Sequence, residues 1–451
     1  MEMESGVTRK LAKFASRTRF SELPRDVVEH AKLCILDWLG AALAGSTSSV
    51  AKVITSFVKG FKGVGSATVI GTSLKAHPAM AALANGIMGH AVEMDDIHRE
   101  AIIHPAAPVV PAALAVAEHE DAHGRNLIEA VVLGYEVEIR LGMAVNPSHY
   151  EYWHTTSTCG TFGAAVAAGK LLGLDEKEMA CALGIAGTSA AGLIEVFGTM
   201  SKPYNAGRAS MDGVLAAMLA KEGLTSSMTI LESPKGFLRA TSKRYYVNKI
   251  FDGLGVKFEV KNNIFKIHSS CGHTHGAIDA VLEIAKRYGV KPDEVSEILV
   301  GTYPIAAEVV GKNYEPKTPE EAKFSLPYCV AVALLHGRAG LEEFSYDKLA
   351  DYRVRELMKK VKVYVDPGYS ECVLGCAKVR IVTRDGRAYE HKVDVPKGYP
   401  ENPLTREELL EKFKALASKA ISMEKSRRIA EVVSNLEHEH VRGLTALLSI
   451  E

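Results

Sequence analysis

Residues 84–118 read ANGIMGHAVEMDDIHREAIIHPAAPVVPAALAVAE. His90, Glu93, Asp95, Asp96, His98 and His104 fall within fifteen residues, and the Ala/Val-rich run after them carries no charge until Glu118. Polar titratable groups therefore crowd the junction of two apolar helical stretches. Pro105 and Pro111 both suit opening turns of a helix, where no amide donor is needed. His104 is thus placed just ahead of a helix N-terminus, an end with free N–H groups that favours anions. A plain interhelical loop would need a few capping side chains. Three imidazoles and several carboxylates beside a buried helix point to a functional site instead.

Working outward, the pattern is mainly helical. Apolar residues recur at helical spacing over 7–20, 24–43, 49–59, 79–88 and 125–145. Small-residue helices are expected over 161–172, 177–193 and 211–222. Near Phe265 the pattern changes. A helix at 275–288, a strand at 296–303, a helix at 321–335 and a β-like stretch at 361–365 precede a hairpin of 378–383 with 388–393. Asp385-Gly386 supplies the tight turn of that hairpin. Thr405 with Glu408 forms a capping box for another helix, and two helical pieces follow. The expected architecture is a large all-α domain, 1–265 with 400–451, and a smaller α+β lid domain, 266–399.

Bulk composition excludes several classes. Lys+Arg and Asp+Glu both number 54, so no basic excess suggests nucleic acid. Aromatics at 7 % give no base-stacking platform. No apolar run reaches membrane-span length and the N-terminus lacks a signal-type core, which points to the cytoplasm. Seven irregularly spaced Cys suggest reduced thiols rather than a disulfide framework. Walker, GxSxG, HExxH and dinucleotide patterns are missing.

Four further clusters carry reactive groups. His154 opens the Ser/Thr-rich stretch 154–158. Lys202 and Arg208 flank a loop between small-residue helices and could hold carboxylates. Lys266, Cys271, His273 and His275 lie at the change of pattern; their spacing matches no structural zinc motif, so no metal is expected. Tyr328 enters an apolar helix, either as a proton donor or as a core aromatic with a satisfied hydroxyl. Imidazoles, ammonium groups and carboxylates together suit removal of a proton next to a carboxylate, with no cofactor.

Five ordered segments, 85–118, WHTTSTCGTFGAAVAAGKLLGLD (153–175), SKPYNAGRASMDGVLAA (201–217), FKIHSSCGHTHGAIDA (265–280) and AKFSLPYCVAVALL (322–335), make the chain resemble the MmgE/PrpD family over nearly its whole length. That family includes 2-methylcitrate dehydratase, cis-aconitate decarboxylase and iminodisuccinate epimerase. The resemblance implies a homodimer and a metal-free site between domains. It places His104, His154, Lys202, Lys266 and Tyr328 at that site, with Glu93 at the first acidic position, then Asp95 and Asp96. Departures are Glu93 for Asp, Asn205 for His, and Cys271 where the decarboxylase has a catalytic His. His275 fits a His of the broader family. The expectation is a hydro-lyase for a small di- or tricarboxylate, with an epimerase, a decarboxylase or a non-catalytic carboxylate binder as alternatives. His104 and His154 are the acid/base candidates. Lys202, Lys266 and Arg208 hold carboxylates, Tyr328 donates a proton or hydrogen bond, and Asp96 orients a His.

Overall fold

In the computed structural model, residues 6–61, 65–372 and 374–450 are described; the first five residues of the N-terminal stretch considered above lie outside them. Among the described residues, nine helices of more than ten residues build the first region: α1 Val7–Arg17, α2 Arg25–Gly45, α3 Ser49–Lys59, α4 Pro78–Ala91, α5 Ala106–His119, α6 Gly124–Val145, α7 Thr155–Leu171, α8 Glu176–Ser189 and α9 Ser201–Lys221. Their stops and starts follow local chemistry. Pro78 opens α4, with the His77 ring accepting the Ala79 amide. Asp175 and Glu178 form a capping box on α8. Pro111 lies inside α5, past the opening turns expected for it.

Two boundaries shift in ways that matter. α7 begins at Thr155, directly after His154, and α9 begins at Ser201, so Lys202 sits in a helical first turn rather than a loop. Small residues set the helix spacing. A Cβ on Gly207 of α9 would lie 2.4 Å from the Leu83 carbonyl of α4, and one on Gly213 2.4 Å from the Ala164 side chain of α7. The α4–α9–α7 stack is therefore in backbone-close contact, as the Gly/Ala content demands.

The second region carries helices α10 His275–Tyr288 and α11 Leu326–His336 and a four-stranded sheet: β1 Val295–Thr302, β2 Val361–Val365, β3 Ala377–Thr383 and β4 Ala388–Val393. Spatial order is β2-β1-β3-β4, with β1–β2 parallel and the rest antiparallel. Ile298 faces Ile381 and Val300 faces Val379 across β1 and β3. Ile278, Val281 and Ile284 of α10 join Val300, Val332 and Ile381 in one buried cluster. The fold is mainly α with this single substantial sheet.

The last helices, α12 Arg406–Ala417, α13 Met423–Ser434 and α14 Val441–Leu448, return to the first region. Phe413, Leu436 and Leu444 are buried in the same cluster as Leu39, Val131 and Phe162. Between the two clusters Ile97, Ile264, Leu374 and Tyr399 pack together. Contrary to the all-thiol expectation, Cys372 and Cys376 are joined in a disulfide, a pairing that a four-residue separation allows within one turn-rich loop; the other five Cys are free and buried. Among the described residues no single helix is long and apolar enough to cross a membrane.

Candidate active site

α4 ends at Ala91, and Glu93 adopts a left-handed backbone, φ +55°. Ile102, a β-branched residue, does the same at φ +48°. Non-glycine residues rarely take this conformation, and both bracket the polar stretch. Between them Ile97-His98 pairs as a short strand with Asn263-Ile264, fastening the stretch to the chain just ahead of the second region. Thr156, in the first turn of α7, accepts the His104 amide at 3.0 Å. His154 donates its own amide to the Gly192 carbonyl at 2.9 Å. Segments far apart in the chain thus meet here.

Two charge assemblies result. Glu93 is buried and pairs with the ammonium groups of Lys202 and Lys266, the latter at 3.2 Å. Burial alone would push this carboxyl up, but the two lysines outweigh it and hold it well below the usual carboxylate range. Asp95 Oδ2 accepts from His90 Nδ1 at 2.7 Å and lies 3.2 Å from His104 Nδ1, the latter contact off the line of a good hydrogen bond. Burial opposes ionisation of Asp95 too, and the two imidazoles overcome it. An ionised carboxylate facing Nδ1 favours the proton on that nitrogen, leaving His104 Nε2 as a bare base. Burial lowers His104 to about 4 despite Asp95. His154 is lowered well below its ordinary value, by burial first and then by Lys202.

His104, His154, Lys202 and Cys271 line one inner cavity of about 30 Å³, with Tyr150, Thr156, Phe197, His273, Phe324 and Leu374. Lys202 Nζ lies 5.5 Å from the Phe197 ring centre and 5.0 Å from that of Phe324. The same lysine and Phe324 also line an outer cleft of about 430 Å³, which holds His90, Glu93 and Lys323. Lys323 is lowered to about 8, by burial against the pull of Glu93.

Four expected residues are placed elsewhere. Asp96 does not orient an imidazole: its carboxylate accepts the Ala106 amide at the α5 N-terminus, the Tyr135 hydroxyl and the Asn263 amide. Asp95 takes the orienting position instead. The Tyr328 hydroxyl is spent on the Glu343 carbonyl at 2.7 Å inside the second cluster. Arg208 binds the Ser189 carbonyl at 2.7 Å and Asp212 at 3.4 Å, because a helical Lys202 turns position 208 to another face. His275 packs on His268, with ring centres 5.0 Å apart. His90, Lys323, Phe197 and Phe324 were given no role from the sequence; His90 lay inside the dense stretch and Lys323-Phe324 inside the segment 322–335, while Phe197 lay in none of the quoted segments.

His90, Asp95 and His104 bring three donor atoms within 4.8 Å of one another. Two nitrogens and an oxygen suit a divalent cation, yet the Lys202 and Lys266 ammonium groups at adjacent Glu93 oppose one.

The MmgE/PrpD N-terminal domain matches residues 9–248 and the MmgE/PrpD C-terminal domain residues 268–438. The chain is 30 % identical to cis-aconitate decarboxylase of Aspergillus terreus, over 99 % of this chain and 96 % of that protein. It is 29 % identical to the human cis-aconitate decarboxylase, over 99 % and 95 %. Identity to 2-methylcitrate dehydratase of Salmonella typhimurium is 24 %, over 89 % and 88 %. These matches span both regions and all the segments that meet at the cavity, and the chain belongs to the MmgE/PrpD family.

Proposed function

We propose that the protein is a metal-independent lyase for a small tri- or dicarboxylate of the citrate or 2-methylcitrate type. His104 Nε2 takes a proton from the carbon beside a carboxylate, and the C–H electron pair forms the alkene. The β-hydroxyl leaves as water with a proton from the Lys202 ammonium. The observation that carries this reading is the His104 imidazole, 3.2 Å from the Asp95 carboxylate, lining a cavity shared with Lys202. Lys202 and Lys323 supply positive charge for substrate carboxylates.

A second reading, decarboxylation of cis-aconitate, is favoured by full-length likeness to the fungal and human decarboxylases. Citrate, 2-methylcitrate and cis-aconitate, each followed for alkene formation and for release of carbon dioxide, separate the two. Deuterium entering recovered substrate without loss of water would indicate an epimerase instead. Absence of turnover with all three would sink the lyase reading. Chelator treatment is expected to leave turnover unchanged. A homodimer belongs to the proposal, supported by the exposed apolar residues Tyr204, Leu215, Leu219 and Leu224 on and just beyond α9.

A further inference from the structure

The segment around Cys271 brings a second polar group to the inner cavity. Cys271 lines it, but burial and then Glu93 push its thiol up, so it stays protonated and is a poor acid or base near neutrality. Two residues on, His273 lines the same cavity from the turn Gly272–Thr274 that leads into α10. Its Nδ1 lies 2.5 Å from the Tyr303 hydroxyl. That oxygen accepts the Gly375 amide at 3.0 Å. Among the described residues the Tyr303 hydroxyl has no other acceptor, so its proton goes to Nδ1. The neutral ring must then carry its own proton on Nε2.

We infer that His273 is a further catalytic residue of this centre, its Nε2–H donating a hydrogen bond to the substrate carboxylate whose oxygens gain charge as the neighbouring carbon loses its proton. Tyr303 and the Gly375 amide are the positioning groups that fix the tautomer. The inference rests on the lyase reading. His273 and His104 thus divide the work, one imidazole with a protonated Nε2 and one with a bare Nε2. Burial, then His104 and Lys266, lowers His273 to about 3, so the ring donates a hydrogen bond without having to gain a proton. A neutral imidazole donor next to a carbanion-generating base is a known use of a depressed histidine.

The test uses the full-length protein. His273→Phe is expected to lower kcat/KM by roughly 10²–10³-fold, while His273→Gln, which keeps an N–H near Nε2, stays within about tenfold of wild type. Tyr303→Phe should lower kcat with little change in KM. In ¹⁵N-histidine spectra it should convert His273 from one Nε2-protonated signal set to a tautomer mixture. Wild-type kcat/KM in folded His273→Phe, or a wild-type spectrum with the proton on Nδ1, overturns the proposal. If His273→Phe does not fold, the glutamine variant and the wild-type spectrum decide. If wild type turns over none of the substrates, the lyase reading fails separately. Calorimetric binding of tricarballylate then judges this site: a tenfold or greater loss of affinity in the phenylalanine variant supports it, and unchanged affinity overturns it.

Discussion

A carboxylate with two ammonium partners and a carboxylate with two imidazole partners stand one residue apart, at Glu93 and Asp95. Their removal should have different consequences. Glu93→Gln leaves Lys202 and Lys266 facing each other in a dry site, and breaking such a pair costs about 3–5 kcal/mol. Denaturant unfolding should show that loss. His104→Asn changes little of the packing and should instead lower kcat by roughly 10²–10⁴-fold, with an unchanged unfolding midpoint. The pH response follows from the same groups. Burial lowers His104 from 6.5 to about 4, and His154 is likewise lowered well below its ordinary value. Between those values the unfolded chain binds more protons, so stability falls as pH drops from about 6.5 towards 4. Glu93 and Asp95 act with the same sign at lower pH: their stabilisation is complete above the ordinary carboxylate range and is lost as pH falls towards their depressed folded values. The acid limb of kcat/KM should accordingly lie well below 6.5. An acid limb at 6.5 would mean that His104 is not the base.

At the scale of elements, the α4–α9 crossing decides where Lys202 stands. Gly207 is just over one turn beyond that lysine, and a Cβ added there would run into the Leu83 carbonyl and Ile87. Gly207→Val should force the helices apart, cost about 1–3 kcal/mol by overpacking, and raise KM by moving the ammonium group. Thermal unfolding and steady-state kinetics read the two effects. Helical period, the Asp-Gly turn and the Thr405 capping box were legible because each depends on neighbours in sequence. That His104, His154, Lys202 and Cys271 share one cavity was legible only through the family resemblance, while Lys266 stands beside it at Glu93. Arg208 and Tyr328 were not correctly readable, since helix phase over 201–208 and the partner of one hydroxyl are settled only by tertiary packing. The same holds for Asp95 against Asp96: adjacent residues in an irregular loop point opposite ways, and no period says which. Lys323 and Phe324 fell inside the quoted segment 322–335 without a role of their own, and Phe197 gave no sequence signal, because a lone lysine or phenylalanine has an ordinary role in most folds.

For the whole molecule, an inner cavity of about 30 Å³ is room for little more than a water, whereas small-ligand sites run to roughly 300–1,000 Å³. The proposed carboxylate substrate would reach it from the 430 Å³ cleft, since Lys202 and Phe324 line both spaces and the Phe324 ring packs against Phe197 between them. The helix that supplies Lys202 also presents the exposed apolar stripe of Tyr204, Leu215 and Leu219. Burying that stripe against a second copy, as the proposed homodimer would, holds α9 and its Lys202 in place. Leu215→Glu with Leu219→Glu, both on the outer face and away from the cavity, should convert a dimer to a monomer in sedimentation velocity. The monomer should keep its fold by circular dichroism yet show a raised KM, because the lysine's helix has lost its support. A double variant that still sediments as a dimer would place the interface on a different face, and a wild-type protein that sediments as a monomer would remove the dimer from the proposal altogether.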